Sequence, residues 1–277
     1  MIIAIDGPAG SGKSTISKKV AARLHYCYLD TGAMYRALTL AALKKKADFS
    51  SETELTAIAR SAVLELRGSH PSRQKVFLDG EDVTQEIRLP YVTNAIKQVA
   101  KIPVIREIMV ERQRDIAHGK SVVLEGRDTT TVVFPRADLK VYLDADQKER
   151  ARRQYVELLE QGVSVTFDEI LSDQEKRDES DYTRSVGALK VAADAVVLDT
   201  TAMTIEGVVR HIVRLAKKKK VPFRPFYMVM RWVSCLFVYT CFPFSIRGRE
   251  NVPPSGPFIL ASNHASYLDP IFVGVAA

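Results

Sequence analysis

Residues 7–15 combine glycines, a lysine and hydroxyl side chains at a spacing that suits phosphate binding. The stretch matches G-x-x-x-x-G-K-[S/T] and consists of Gly7, Pro8, Ala9, Gly10, Ser11, Gly12, Lys13, Ser14 and Thr15. Glycines permit the backbone bends that aim N–H groups at an anion, and a following helix N-terminus adds partial positive charge. In such a loop Lys13 reaches the terminal phosphates and the Ser14 hydroxyl ligates Mg²⁺. The motif predicts a binding site for a nucleoside triphosphate.

Arginines are the second group of candidate residues, because the planar guanidinium suits the oxygens of a phosphorylated acceptor. The candidates follow apolar stretches or lie in a charged helical stretch: Arg36, Arg106, Arg127, Arg150, Arg152, Arg153, Arg177 and Arg184. Arg36 and Arg127 each follow the end of an expected strand, and the carboxyl ends of parallel strands are where such sheets bind ligands. We expect Arg152 to be a solvated surface charge.

A histidine and an aspartate, His264 and Asp269, form an N-H-x-x-x-x-D pattern after an apolar stretch near residue 260. A histidine and a carboxylate in this relation can act as a general base and its orienting partner. The spacing is common by chance and identifies no reaction without its surroundings.

Five short apolar runs are the candidate strands that would position the phosphate-binding residues 7–15 and the arginines. They lie at 2–5, 26–29, 122–124, 139–143 and 196–198, and helical spacing fills the stretches between them. This alternation is typical of an open α/β fold with a parallel sheet and helices on both faces. Residues 62–88 break the rhythm, because two extended runs flank a turn-rich segment. We predict an inserted antiparallel hairpin there.

The composition divides the chain into two parts. The chain has 277 residues and a net charge of +7; residues 217–277 hold eight basic residues against two acidic ones, or +6, which leaves +1 for residues 1–216. The near-neutral first part argues against a nucleic-acid partner. Three cysteines without a C-x-x-C pair indicate a reduced compartment. The first six residues lack a basic n-region and already contain Asp6, so we do not expect them to act as a secretory signal. We expect a cytoplasmic location.

The motifs of residues 1–215 together resemble those of the bacterial cytidylate kinases. The resemblance is carried by 7–15, 30–36, 80–88, 126–128 with 131–135, and 177–184. It implies an α/β P-loop nucleoside monophosphate kinase with a five-stranded parallel sheet, a hairpin insertion and a helical lid over about 149–181. It further implies phosphorylation of CMP and dCMP by ATP, with Mg²⁺ as the cofactor.

The resemblance also implies roles for individual side chains. The acceptor nucleotide would contact Thr31, Arg36, Lys97, Arg106, Arg127, Asp128, Arg177, Asp181 and Arg184, and the catalytic set would be Lys13, Arg127, Arg150, Arg153 and Arg177. Asp128 can accept from the cytosine amine, which uracil lacks, and a site built for that bond rejects the analogue. The acceptor oxygen is already ionised, so positioning and charge neutralisation are expected to suffice without a general base.

Two residues depart from the pattern of this family. Lys97 stands where a serine is usual, which leaves the preference for CMP over UMP open. Thr130 stands where a glycine is usual, and we expect its side chain to narrow the pocket or shift the loop.

The basic part of the chain is predicted to start with a linker at 217–225, because four lysines and two prolines oppose helix continuation. Residues 226–244 are apolar but contain Arg231, and about 12 uncharged residues follow it, short of the roughly 20 needed to span a bilayer. We expect a membrane-surface or re-entrant helix there rather than a transmembrane span, with a peripheral membrane contact through 217–245. A core helix of a soluble domain is the alternative.

Residues 226–277, with His264 and Asp269, resemble the opening of the glycerolphosphate acyltransferases, which make phosphatidic acid from lysophosphatidic acid. The G-x-F-x-R-like and E-G-T-R motifs of that family do not occur up to Ala277. We therefore expect an incomplete second enzyme without acyl-transfer activity.

Two other functional hypotheses stay open at this point. One is a different P-loop small-molecule kinase, of the UMP/CMP, adenylate or shikimate type. The other is a non-catalytic module that binds membranes through the basic tail.

Overall fold

Eight strands occur in the part of the chain that the structure describes. The structure is a computed structural model, and it describes residues 1–68, 70–160, 162–184, 186–220 and 232–233. The strands are β1 (Ile2–Asp6), β2 (Cys27–Asp30), β3 (Leu64–Arg67), β4 (Lys75–Leu78), β5 (Glu81–Asp82), β6 (Val122–Gly126), β7 (Leu139–Asp144) and β8 (Val196–Asp199). All belong to the first of two compact units, Met1–Lys220 and Val221–Ala277.

The central sheet has five parallel strands in the order β2-β6-β1-β7-β8. These are the five apolar runs expected from the sequence, so the predicted α/β architecture is confirmed. The register places Asp6 beside Gly126 and Asp30 beside Glu125. Because neighbouring parallel strands end together, their terminal polar residues meet at one edge of the sheet.

Eight α-helices connect and cover the strands in the described residues. They are α1 (Lys13–Leu24), α2 (Thr31–Lys44), α3 (Glu52–Ser61), α4 (Pro90–Ala100), α5 (Pro103–Ala117), α6 (Gln147–Glu160), α7 (Phe167–Thr183) and α8 (Ile205–Lys220). Successive strand residues face opposite sides of a sheet. Accordingly, Ala4 packs in a core with α2–α5, whereas Ile3 and Ile5 pack in a second core with α1 and α8.

The insertion expected at 62–88 is an antiparallel sheet in the order β3-β4-β5. Val76 and Leu78 of its middle strand are buried in the core that contains α2. The two-residue strand β5 was not expected, because Glu81 and Asp82 are charged and exposed and have no apolar pattern.

The helices α6 and α7 form the predicted lid. The rings of Tyr155 and Phe167 meet edge to face with their centroids 6.3 Å apart, which joins the two helices. A reciprocal capping box between Thr166 and Glu169 starts α7. The lid is therefore a defined helical pair.

The boundary after the first unit differs from the prediction. Helix α8 continues through the lysines that were assigned to a linker and ends at Lys220. Val209, Ile212 and Ala216 are buried against the sheet, and the Lys219 ammonium donates to the Asp138 carbonyl at 2.7 Å. Basic residues in a last turn favour a helix because they interact with its negative end.

The surface helix expected at 226–244 lies outside the described residues, except for 232–233. Among the helices that the structure does describe, none is both long and apolar enough to cross a membrane.

Candidate active site

A cleft of about 1940 Å³ opens at the carboxyl edge of the parallel sheet. Its walls include the loop of residues 7–15 after β1, which we call the phosphate loop, and the ends of β2 and β6. Helix α4, the lid helices α6 and α7 and the segment 200–205 complete them. The cleft brings together most of the residues that the sequence singled out.

The phosphate loop has the backbone that its glycines predict. Gly12 adopts φ +83° and immediately precedes α1, and the N-terminus of this helix lies at the cleft, because Lys13 and Ser14 line it. Gly7 adopts φ +154°, and a Cβ there would lie 2.1 Å from the Leu143 carbonyl oxygen. Residues 9–15 line the cleft, whereas Gly7 and Pro8 do not.

Lys13 is buried inside this loop. Its Nζ donates to the carbonyl oxygen of Pro8 at 2.6 Å and lies 3.4 Å from the Ser11 Oγ. Burial, and next the positive charge of Arg127, lower the pKa of Lys13 to about 7. An anionic ligand beside Lys13 would raise this pKa again and so favour the charged ammonium.

Glu125 is a site residue that sequence reasoning missed. Its Oε2 accepts from the Ser14 hydroxyl at 2.9 Å, and its Oε1 accepts from the Tyr28 hydroxyl. Burial, and next the charge of Asp30, raise the pKa of Glu125. The sequence did contain a signal for Glu125, because a carboxylate near the end of an apolar strand run, at the edge where ligands bind, is a candidate site residue. Carboxylate and hydroxyl oxygens are donors that suit Mg²⁺.

The structure pairs two of the residues assigned to the acceptor base. The Arg106 guanidinium bonds to Asp128 Oδ2 in a buried ion pair, and Arg106 also donates to the Ala100 carbonyl at 3.2 Å. The guanidinium carbon lies 5.6 Å from the centroid of the Tyr35 ring. Burial raises the pKa of Asp128, while Arg106 opposes this shift. Lys97 is exposed and lines the same cleft.

Arg36 reaches the cleft without an ion-pair partner among the described residues. Its Nε is buried and makes no hydrogen bond there, and burial lowers the pKa of Arg36. Arg88, which the sequence reasoning did not select, lines the cleft nearby with its Nη2 3.8 Å from Asp30 Oδ2. Thr31 also lines the cleft and donates from Oγ1 to the Glu125 carbonyl at 2.7 Å.

Asp181 joins two arginines from different parts of the chain. Arg127 Nε donates to its Oδ2 at 2.6 Å, and Arg184 bonds to its Oδ1. Arg177 lines the cleft on the same helix, α7. All four of these residues line the cleft, and their assignment to the acceptor nucleotide stays a prediction.

The lid arginines occupy three different environments. Arg150 is buried outside the cleft lining and donates to the Ala9 carbonyl at 2.8 Å and to Asp178 at 2.7 Å. This geometry supports a role in holding the loop, whereas a catalytic role was expected. Arg153 lines the cleft and donates to the Thr200 carbonyl at 2.7 Å. Arg152 is exposed and pairs with Glu149 at 2.7 Å.

Thr130 does not line the pocket, so the first of the two expected effects, a narrower pocket, is not seen, and the second, a shifted loop, stays a prediction. It is buried outside the cleft lining, and its hydroxyl donates to Asp6 at 2.6 Å. A side chain at this position therefore points into the protein rather than into the pocket.

Two family models match the chain. Residues 3–218 match the model described as cytidylate kinase, and residues 243–277 match the model described as acyltransferase. His264 and Asp269 lie in the second match and outside the residues that the structure describes, so their pairing stays a prediction.

Relatives with established names cover the first unit. The cytidylate kinase of Caldanaerobacter subterraneus subsp. tengcongensis is 45% identical over 216 residues, which is 78% of this chain and 94% of the relative. The cytidylate kinase of Desulforamulus reducens is 46% identical over 218 residues, which is 79% of this chain and 97% of the relative. Among solved structures, a shikimate kinase from Bacteroides thetaiotaomicron matches with a TM-score of 0.40 at 14% identity and covers 78% of this chain and 98% of its own.

A family match over most of the chain agrees with the phosphate loop, the parallel sheet and the inserted hairpin seen in the structure. The chain belongs to the cytidylate kinase family and is a nucleoside monophosphate kinase.

Proposed function

We propose that the enzyme transfers the γ-phosphoryl group of ATP directly to CMP and to dCMP, giving CDP and dCDP. The observation that carries this proposal is the single cleft that joins Lys13 of the phosphate loop to the buried Arg106–Asp128 pair. The resemblance to bacterial cytidylate kinases supports dCMP as the second acceptor.

The Arg106–Asp128 pair supports cytosine as the base. A carboxylate oxygen of Asp128 accepts from the exocyclic amine, and Arg106 donates to the ring acceptors. Uracil presents a carbonyl oxygen at the position of the amine, so the Asp128 oxygen that is not bonded to Arg106 would be left without a donor. Such an unpaired buried group disfavours the wrong base.

The phosphates are expected to lie between positively charged side chains. Lys13 serves the donor, Arg36 holds the acceptor phosphate, and Arg127 and Arg177 neutralise the charge that spreads over the transferred group. The acceptor oxygen attacks in line with the leaving oxygen, so positioning supplies most of the catalysis. Closure of the lid would exclude water and suppress ATP hydrolysis.

The oxygens of Ser14 and Glu125 fit Mg²⁺, since the hydroxyl and the carboxylate lie 2.9 Å apart beside the phosphate loop. When bound, Mg²⁺ neutralises charge on the β- and γ-phosphate oxygens. Ser14 and Glu125 would orient it, and the hydrogen bond between them holds both side chains at the loop.

The substitution Lys13→Ala tests the proposed site. We expect CMP phosphorylation to fall by at least about 10²-fold, because a preorganised charge at the phosphates is lost. Lys19→Ala is the matched control, since Lys19 lies on the same helix, is exposed and does not line the cleft. Circular dichroism would check that both variants fold. Retained turnover in a folded Lys13→Ala variant would contradict the assignment.

A further inference from the structure

A buried carboxylate behind the cleft, that of Asp6, binds the segment that follows Asp128. Asp6 is fully buried, as is Thr129, and Thr130 is 1% exposed. The backbone N–H and the hydroxyl of Thr129 donate to Oδ1 at 3.0 and 2.7 Å. The backbone N–H and the hydroxyl of Thr130 donate to Oδ2 at 2.7 and 2.6 Å. Each carboxylate oxygen therefore accepts two hydrogen bonds from one threonine.

These bonds lie at the start of an unusual turn. Residues Thr129–Val133 form one turn of π-helix that begins directly after Asp128. The first amides of a helix have no partners within it, so an acceptor placed at its start stabilises it. Asp6 supplies this acceptor from the neighbouring strand, because β1 and β6 are adjacent in the sheet.

Asp6 holds both ends of the two-residue span formed by Arg127 and Asp128. On one side it pairs in register with Gly126, and on the other side it accepts from Thr129 and Thr130. The turn is tight, because a Cβ on Gly126 would lie 2.6 Å from Thr129 Cγ2. The positions of Arg127 and Asp128 therefore depend on the bonds to Asp6.

We propose that the Asp6–Thr130 hydrogen bond is a positioning contact that sets the affinity of the enzyme for its acceptor nucleotide. The inference rests on the proposed function, in which Asp128 contacts the base and Arg127 contacts the phosphates. A side chain displaced by a fraction of an ångström makes poorer bonds to a bound ligand. A glycine at position 130 would lack the hydroxyl. Thr130 therefore gives Asp6 a hydrogen bond that the backbone N–H alone does not provide.

Three variants on the same turn test this role. Thr130→Val removes the hydroxyl and keeps a β-branched shape, and Thr130→Ser keeps the hydroxyl. Thr131→Val is the matched control, because the Thr131 Oγ1 is buried and has no hydrogen-bond partner in the described part of the chain. We expect Thr130→Val to raise the KM for CMP roughly fivefold, since a charge-assisted hydrogen bond is lost. The KM for ATP should be unchanged in all three variants.

Recovery in Thr130→Ser would support the role of the hydroxyl. A merely structural defect would lower kcat through loss of folded enzyme and would leave the KM for CMP as in the wild type. An unchanged KM for CMP in Thr130→Val, or an equal rise in Thr131→Val, would overturn the inference.

Hydrogen–deuterium exchange of residues 127–133 in the nucleotide-free full chain separates this inference from the proposed function. We expect faster exchange in Thr130→Val and in Asp6→Asn, and wild-type exchange in Thr131→Val. A wild-type enzyme that does not phosphorylate CMP would overturn the proposed function. Equal exchange rates in Thr130→Val and wild type would overturn the positioning role, whichever nucleotide is the acceptor.

Discussion

The Lys13 ammonium donates to the carbonyl oxygen of Pro8 at 2.6 Å, within the loop that is proposed to bind the phosphates of ATP. Lys13 is therefore partnered by the backbone of the loop to which it belongs. Burial and the neighbouring Arg127 lower its pKa to about 7, so the charged form is only partly populated near neutral pH. Phosphate oxygens would replace Pro8 and stabilise the ammonium.

The first prediction concerns the pH dependence of ATP use. The charged form of Lys13 binds phosphate, and the free enzyme loses this form as the pH rises through about 7. The kcat/KM for ATP, which reports the free enzyme, should fall above that pH. The kcat should change less, because bound phosphates raise the pKa of the lysine. A kcat/KM for ATP that stays level up to about pH 9 would contradict this account, because a pKa near 7 must titrate in that interval.

The second prediction concerns Arg36, whose buried Nε has no partner in the described residues. Arg36→Met should raise the KM for CMP by about 10- to 100-fold, since a charge-assisted bond to phosphate is lost. Stability should stay close to that of the wild type, because no internal ion pair is broken. Arg23→Met is the control, as Arg23 pairs with Glu206 outside the cleft. A normal KM for CMP in Arg36→Met would remove Arg36 from the acceptor site.

The third prediction concerns base selection by Asp128. Asp128→Asn replaces one acceptor oxygen by an NH₂ donor, which can bond to the uracil carbonyl. The ratio of kcat/KM for CMP to that for UMP should fall by about tenfold or more. Thermal unfolding must be followed as well, because the variant leaves the buried Arg106 without its charged partner and should cost about 3 kcal/mol. An unchanged ratio in folded protein would argue that Asp128 does not contact the base.

The fourth prediction separates the structural and catalytic roles of Arg150. Arg150→Met leaves the buried Asp178 without its charged partner, so the free energy of unfolding should fall by about 3 kcal/mol. The double variant Arg150→Met with Asp178→Leu should regain most of that loss, because no lone charge stays buried. Chemical denaturation would measure both. A large drop in kcat with unchanged stability would instead restore the catalytic role that the sequence suggested.

The elements that carry a local pattern could be predicted from the sequence. The five apolar runs became the five parallel strands, and the glycines with Lys13 produced a loop with positive φ angles at Gly10 and Gly12. The strands follow from apolar residues that are neighbours in the sequence, and the loop conformation follows from the backbone freedom of glycine. Each can therefore be read from one short stretch of sequence.

The contacts made across the fold could not be predicted. Glu125 meets Ser14 across 111 positions, and Thr130 meets Asp6 across 124. Arg150 bonds to Ala9 across 141 positions and does not line the cleft. The end of α8 was misjudged for a related reason, because burial of its apolar face and the bond from Lys219 to Asp138 outweigh the repulsion among lysines.

The most direct test of the central claim is a coupled assay of ADP formation with a panel of acceptors. The purified chain would be supplied with ATP, Mg²⁺ and, in turn, CMP, dCMP, UMP, AMP or shikimate. We predict the highest kcat/KM with CMP and dCMP, and loss of both activities in Lys13→Ala. A preference for AMP, UMP or shikimate over both cytidine nucleotides would contradict the proposed function.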